Sequence, residues 1–283
     1  MLIDTHCHLD ASEFDADRAD VAQSAWDAGV RAIVVPGVMR ANFTDVLALS
    51  QQHAHCAMAL GIHPLFVDQS QPEDIQHLAQ WLRANAEGKL PPGIQDESAV
   101  GKTPRIVAVG EIGLDFFVEG YDQAKQEFYF IEQLKLAREF DLPVLLHVRR
   151  SVDQVIKQVR RFGVKGIAHA YNGSLQQAEA LIKLGFKLGF GGAMTWERAL
   201  KLRSLARELP LEAIVLETDA PDIPPQWLGH HGRNSPDQLP KIAEVLAELR
   251  GVETAEIACA TSKNALDILP FLSELYTPAN VSH

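Results

Sequence analysis

Two histidines two residues apart, His6 and His8 in Met1-Leu-Ile-Asp-Thr-His-Cys-His-Leu9, are the first residues of this chain equipped for chemistry. Leu2 to Asp4 reads as a short buried strand, and strand side chains alternate faces. Both imidazoles therefore aim at one point while Cys7 faces away. Converging neutral imidazoles are ligands for zinc or another borderline divalent ion. Further metal-ligating residues recur just past later apolar runs. They are His63 in Gly61-Ile-His-Pro64, Glu111 in Val109-Gly-Glu-Ile-Gly-Leu-Asp115, and His147 in Pro143-Val-Leu-Leu-His-Val-Arg149. His169 in Ile167-Ala-His-Ala-Tyr-Asn-Gly173, and Glu217 with Asp219 in Leu216-Glu-Thr-Asp-Ala-Pro221, complete the set. Taken singly, each is more often a hydrogen-bonded core histidine or a polar residue at a strand edge. Taken together, they call for one fold that brings them to one place, and there for a metal site.

Short β-rich runs alternate with longer helical patterns along the chain, the signature of βα units and a parallel sheet. Strands are expected at Leu2–Asp4, Ala32–Val35, Ala57–Leu60, Ile106–Val109, Val144–Leu146, Gly166–Ala168, Phe186–Phe190 and Ile214–Leu216. Helices are expected at Ala16–Ala28, Asn42–His53, Glu73–Asn85, Gln123–Phe140, Val152–Phe162, Leu175–Leu184, Glu197–Glu208, Gln238–Leu249 and Thr254–Leu269. Gly29, Gly163 and Gly185 sit where C-cap glycines belong, and Ser174 and Thr254 suit N-caps. The pattern predicts an α/β protein, a single-domain (β/α)8 TIM-type barrel over residues 1–283, with its active site at the C-terminal ends of the strands. Residues 87–104, rich in glycine and proline, read as a surface insertion on the opposite face. A doubly wound open sheet would need a glycine-rich phosphate loop after an early strand, and none is visible. Gly189-Phe-Gly-Gly192 follows the seventh strand and suits tight packing there.

Composition fits this picture: 47% hydrophobic and 22% charged residues are ordinary for a globular protein. No apolar run approaches the roughly 20 residues needed to span a bilayer. Met1–Leu9 shows no basic segment leading into an apolar stretch, and Cys7, Cys56 and Cys259 form no paired framework. A cytoplasmic location with three reduced, buried thiols is the expectation. A formal net charge of −11 opposes broad electrostatic capture of nucleic acid, unless local metal charge governs docking.

The chain resembles the TatD family of metal-dependent hydrolases, within the amidohydrolase-like barrels, nearly end to end. The resemblance is carried by Asp4 to Leu9, Gly61 to Pro64, Gly110 to Asp115, Pro143 to Arg149, His169 to Ser174, Glu217 to Pro221 and Arg233 to Pro236. It implies that His6, His8, Glu111 and Asp219 bind one divalent ion, and that Glu111, His147 and His169 bind a second, with Glu111 bridging. The ions could be Zn, Mn, Mg, Fe or Ni. Two places depart from the family pattern. Ala170-Tyr171-Asn172 stands for the usual Cys-Phe-Ser, and Arg149-Arg150-Ser151 for Ser-Arg-Asp or a close variant. Neither touches an implied ligand, so they bear on substrate preference.

Four neutral histidines and two carboxylates would leave two divalent ions with surplus positive charge, which attracts a phosphodiester. The expected activity is that of a TatD-like deoxyribonuclease, trimming single-stranded DNA from its 3′ end through metal-activated water. Asp219 and Glu111 are the catalytic candidates, Asp219 as ligand and proton acceptor. His63 is placed near the phosphate or leaving group as hydrogen-bond donor or acid. Arg149, Arg233, Asn234 and Tyr171 are candidate substrate contacts, Arg149 through a planar fork and Tyr171 by stacking on a base. Glu217, Asp115 and Asn172 are candidates to orient ligands from behind. Basic residues on the fifth and seventh helices, among them Lys157, Arg161, Lys201 and Arg207, read as solvated faces. The same ligands would equally serve hydrolysis of a carboxylic ester, lactone, amide or aminoacyl-tRNA ester. A non-catalytic metal-containing binding protein is the remaining alternative. No membrane partner is expected, and a chain of this length should be stable as a monomer.

Overall fold

The computed structural model describes residues 1–94 and 105–273. Among them eight parallel strands pair in chain order: β1 (Leu2–Asp4), β2 (Val30–Pro36), β3 (Cys56–Leu60), β4 (Ile106–Asp115), β5 (Val144–Arg149), β6 (Gly166–Ala168), β7 (Lys187–Phe190) and β8 (Ile214–Leu216). Helices α1 (Arg18–Asp27), α2 (Phe43–Gln52), α3 (Pro72–Ala86), α4 (Gln123–Glu139), α5 (Val152–Phe162), α6 (Leu175–Lys183) and α7 (Leu200–Glu208) alternate with the strands. Two more, α8 (Leu239–Arg250) and α9 (Thr254–Ile268), follow β8. The alternation of apolar runs and helical patterns thus folds as the expected TIM-type barrel.

The strands are apolar on both faces because both faces are covered. Ile3, Val34, Ala59, Leu145, Ile167 and Val215 meet inside the barrel, while Val35, Met58 and Leu146 belong to the layer that includes helix residues. A buried Leu, Ile or Val is worth about 1.5–3 kcal/mol relative to exposure, so strand burial on both sides is the main stabilising term. Ala265 and Ile268 of α9, with Leu269 and Leu272 after it, join the inner cluster. Arg105, just ahead of β4, lies 5.1 Å over the Phe271 ring, so this plug seals the N-terminal end of the barrel. The C-terminal end is left for the site.

Closure between β8 and β1 uses three backbone bonds in place of a long ladder: Thr5 N–H to Leu216 O (3.1 Å), Asp219 N–H to His6 O (2.8 Å) and His8 N–H to Ala220 O (2.8 Å). Asp4 completes the seam. Its carboxylate accepts from Thr218 Oγ1 at 2.6 Å, Thr218 N–H at 3.0 Å and His6 N–H at 3.2 Å. Burial pushes its pKa up to about 8 against these bonds.

Several boundaries differ from expectation. β4 runs on to Asp115 instead of stopping at Val109, because its glycines let it press against β5. A Cβ on Gly113 would lie 2.0 Å from His147 O, and one on Gly110 would lie 2.6 Å from Leu145 Cβ. Thr254 is the first helical residue of α9, after an N-cap at Glu253 that makes no side-chain bond. Ser174 does cap α6, exchanging side-chain bonds with Gln177. Cys7 and Cys56 are buried as expected, but Cys259 is exposed on α9. Of the expected insertion, residues 95–104 lie outside the described residues. Its start leaves α3 near Asn85, whose side chain binds both polar groups of the Ile106 backbone, at the barrel's floor. None of the described helices is long and apolar enough to cross a membrane.

Candidate metal centre

The alternation that turns Leu145, Ile167 and Val215 inward turns His147, His169 and Glu217 the same way two residues later, past the packed layer. His6 and His8 reach the same point differently. β1 ends at Asp4, and the following segment is pinned between its neighbours, Cys7 N–H on Val34 O and His8 N–H on Ala220 O. His63 caps a short turn, its Nδ1 accepting from Leu65 N–H at 3.1 Å. Asp219 adopts a left-handed backbone (φ 57°), as does Ala170 beside His169 (φ 42°). Such conformations are uncommon outside glycine and recur at functional sites.

Glu111 stands at the centre, 2% exposed, and divides its carboxylate. Oε2 lies 3.1 Å from His6 Nε2 and 3.4 Å from His8 Nε2. Oε1 lies 2.8 Å from His147 Nδ1, 2.9 Å from His169 Nε2 and 3.4 Å from His63 Nε2. Asp219 Oδ1 sits 3.6 Å from His6 and 3.7 Å from His8, whose two Nε2 atoms are 3.2 Å apart. Ligands about 2.1 Å from a common ion are separated by about 3.0–3.4 Å, the edge of an octahedron or tetrahedron. The observed spacings are close to that edge, and the all-nitrogen-and-oxygen donor set suits a borderline divalent cation. The side chains present fit such an ion.

The protonation pattern agrees. Burial drives His6 down to about 3 and His63 down to about 4, so both are neutral near pH 7. Burial pushes Glu111 up, but the imidazoles, His63 foremost, outweigh it and hold the carboxyl well below the usual range. Burial lifts Asp219 to about 6. His8 and His169 move upward despite burial, chiefly through Glu111. Protons gather where cation charge is wanted, around two buried acids.

Neighbours hold the clustered side chains in place. Asp115 Oδ2 lies 2.9 Å from His147 Nε2, while its Oδ1 accepts from Phe117 and Val118 N–H at 2.8 and 3.0 Å. Burial raises the Asp115 carboxyl, and these bonds, led by His147, overcome it to leave the pKa at about 2. The Asp115→Asn variant is therefore expected to lose about 10–100-fold in metal affinity, measured by competition with a metallochromic chelator. Unchanged affinity would show that His147 needs no such support. Glu217 Oε1 accepts from Ala170 N–H and lies 3.7 Å from His169 Nδ1. Gly189 makes room for it, since a Cβ there would be 2.1 Å from Glu217 Oε2. The glycine run after β7 thus accommodates a buried acid as well as close packing.

Around the cluster opens a cavity of about 880 Å³, with His8, Phe66, Arg149, His169 and Asp219 in its wall. Arg149 is exposed at its mouth, its guanidinium 3.9 Å over the Phe117 ring. Four expected roles do not survive. Arg233 lies outside the cavity, clamping Asp17 through two bonds of 2.8 and 2.6 Å. Asn234 is fully buried, its amide donating to Thr218 O, Asp222 O and Ile223 O, so it shapes the loop after β8. Tyr171 is 1% exposed with its hydroxyl on Ser174 O, leaving no face for a base. Asn172 is exposed on the rim, its backbone carbonyl accepting from Lys201, and among the described residues no hydrogen bond joins its side chain to the histidine and carboxylate cluster. Asp4 and Thr218, which tie the segment of His6 and His8 to that of Asp219, have no role assigned to them from the sequence. The signal was a charged residue ending an apolar strand two positions before His6.

Comparison with known proteins follows the same lines. The family profile described as TatD related DNase matches residues 3–270. The uncharacterized metal-dependent hydrolase YjjV of Escherichia coli K12 is 39% identical over 265 residues, covering 93% of this chain and 95% of that protein. A protein of Shigella flexneri serotype 5b named 3′-5′ ssDNA/RNA exonuclease TatD is 30% identical over 270 residues, covering 93% and 96%. The crystal structure of YjjV, a TatD homolog from Escherichia coli K12, superposes with a TM-score of 0.84 at 38% identity, covering 95% of this chain and 98% of that one.

Proposed function

This chain belongs to the TatD-related DNase family of metal-dependent hydrolases, and on that premise we propose that it removes nucleotides from the 3′ end of single-stranded nucleic acid, with two divalent ions held across Glu111. The observation that carries this reading is the divided carboxylate: Oε2 turned to His6 and His8, Oε1 to His147 and His169. His6, His8 and Asp219 would hold one ion and His147 and His169 the other, each sharing Glu111. Bound there, the ions supply Lewis acidity, neutralising phosphate charge and making water easier to deprotonate.

The chain's own residues do the rest. Asp219, with a pKa near 6 from burial, accepts the proton of the attacking water. His63 has its Nδ1 occupied as an acceptor from Leu65 N–H, so the neutral ring carries its hydrogen on Nε2. With a pKa near 4 it acts as a hydrogen-bond donor into the cavity and not as an imidazolium acid. Arg149, at the mouth, meets a phosphate oxygen with its planar fork. Asp115 and Glu217 hold His147 and His169 in orientation. A concave mouth with the cluster at its base suits a strand end, and the TatD relative's name agrees with it. We place the reaction in the cytoplasm, in keeping with three unpaired thiols, and in a single chain.

The metal-reconstituted protein should shorten a linear oligonucleotide from its 3′ end and spare a circular single strand. Equal cutting of both would refute the exonuclease reading. Turnover confined to p-nitrophenyl acetate or lactones would move the chemistry from phosphorus to carbonyl carbon.

A further inference from the structure

Beside the metal cavity lies a second hollow of about 660 Å³, sharing Val148, Arg149 and Asn172 with the first. We propose that it is a binding subsite for the phosphodiester backbone of the nucleotides 5′ to the scissile bond, built on Arg150, Lys201 and the Phe117 ring. The inference rests on the exonuclease reading above and extends it: the strand end sits at the ions, and the rest of the chain leaves across this hollow.

Three observations carry it. First, its wall holds three cations, Arg149, Arg150 and Lys201, against one acid, Asp153, which already accepts a bond from Gln177. In a chain of net charge −11 this local excess is unusual. Of the basic residues read on the fifth and seventh helices, Lys201 alone lines it. Second, Arg149 and Arg150 both lie over Phe117, at 3.9 and 4.6 Å from its centroid, and among the described residues neither guanidinium has an acidic partner. Two like charges stacked on one ring without a counter-anion leave room for a bridging one. Arg150 also holds a left-handed backbone (φ 56°), unfavourable for arginine, at the turn that leads from β5 into α5. Third, Phe117 is 42% exposed and lines the hollow, so the ring that carries the two guanidiniums holds them at a surface a strand can reach. Along β5, Arg149 follows His147 by two residues, about 7 Å, so the hollow begins within a short step of the ligands.

The test uses the metal-loaded protein with three substrates: bis-p-nitrophenyl phosphate, a thymidine dinucleotide with one phosphate, and a thymidine hexanucleotide. Wild-type kcat/KM should rise with length from dinucleotide to hexanucleotide. Arg150→Ala should cut kcat/KM on the hexanucleotide about tenfold, and Arg150→Glu further, with both smaller substrates unchanged. The salt dependence of hexanucleotide binding should lose about 0.7 from its log–log slope. Unaltered hexanucleotide turnover in Arg150→Ala, or an equal loss on all three substrates, overturns the subsite while leaving the nuclease reading intact. A wild type that hydrolyses carboxylic esters but neither nucleotide overturns both.

Discussion

Replacing Glu111 with glutamine is expected to reduce kcat/KM by at least about 10³-fold, the scale of losing a central electrostatic group in a buried site. The change keeps the shape and removes one charge, so packing around the side chain stays intact. It is also asymmetric. Glu111 presents one oxygen to His6 and His8 and the other to His147, His169 and His63. Whichever way the amide turns, one of the two nests faces an NH2 that donates where a lone pair is needed. Elemental analysis should therefore find less metal in the variant. Adding Mn²⁺ or Zn²⁺ to the metal-free wild type should raise its Tm, because an ion bound only by the folded chain stabilises it. The Gln variant should show a much smaller rise. Full activity with full metal content would end the proposal that Glu111 joins two ions.

Asp219→Asn should cost about 10²–10⁴-fold in kcat, the usual worth of a positioned proton acceptor. Burial sets the Asp219 carboxyl at about 6 in the metal-free chain, and a nearby cation lowers it further. The base form is populated above that pKa, so wild-type kcat should climb as pH rises through a limb at or below pH 6, then level off. The Asn variant should lose the limb along with the rate. A simple ligand loss would behave differently: raised metal concentration would restore kcat and the limb together. Such a rescue would assign proton transfer to another group.

The order of elements and the inward-facing histidines on β5 and just past β6 were legible because they obey a two-residue period. Leu145 and His147 are inward neighbours on β5, and His169, one residue past the end of β6, keeps the inward direction of Ile167. The candidate donors were legible only in combination: one histidine or acid at the end of an apolar run is usually a hydrogen-bonded core residue, but several directed to one barrel mouth suit a cation. Residues past the regular strands were less readable. His6 and His8 converge because Asp4, Thr218 and the backbone of Ala220 pin an irregular segment. Glu111 lies inside a strand that continues only because Gly110 and Gly113 carry no side chain. Arg233, Asn234 and Tyr171 lie in segments that carry the family resemblance, yet each spends its polar atoms elsewhere.

Local sequence thus determined the barrel, its polarity and the inventory of nitrogen and carboxylate donors, since these follow from periodicity and residue chemistry within short windows. Tertiary structure alone decided which oxygen of Glu111 faces which histidines, which face of His63 carries its hydrogen, and that Arg149 and Arg150 stack on a single ring. Those outcomes depend on separations of a few tenths of an ångström between residues far apart in the chain. No pattern along the sequence encodes such distances; only packing, hydrogen-bond geometry and burial do.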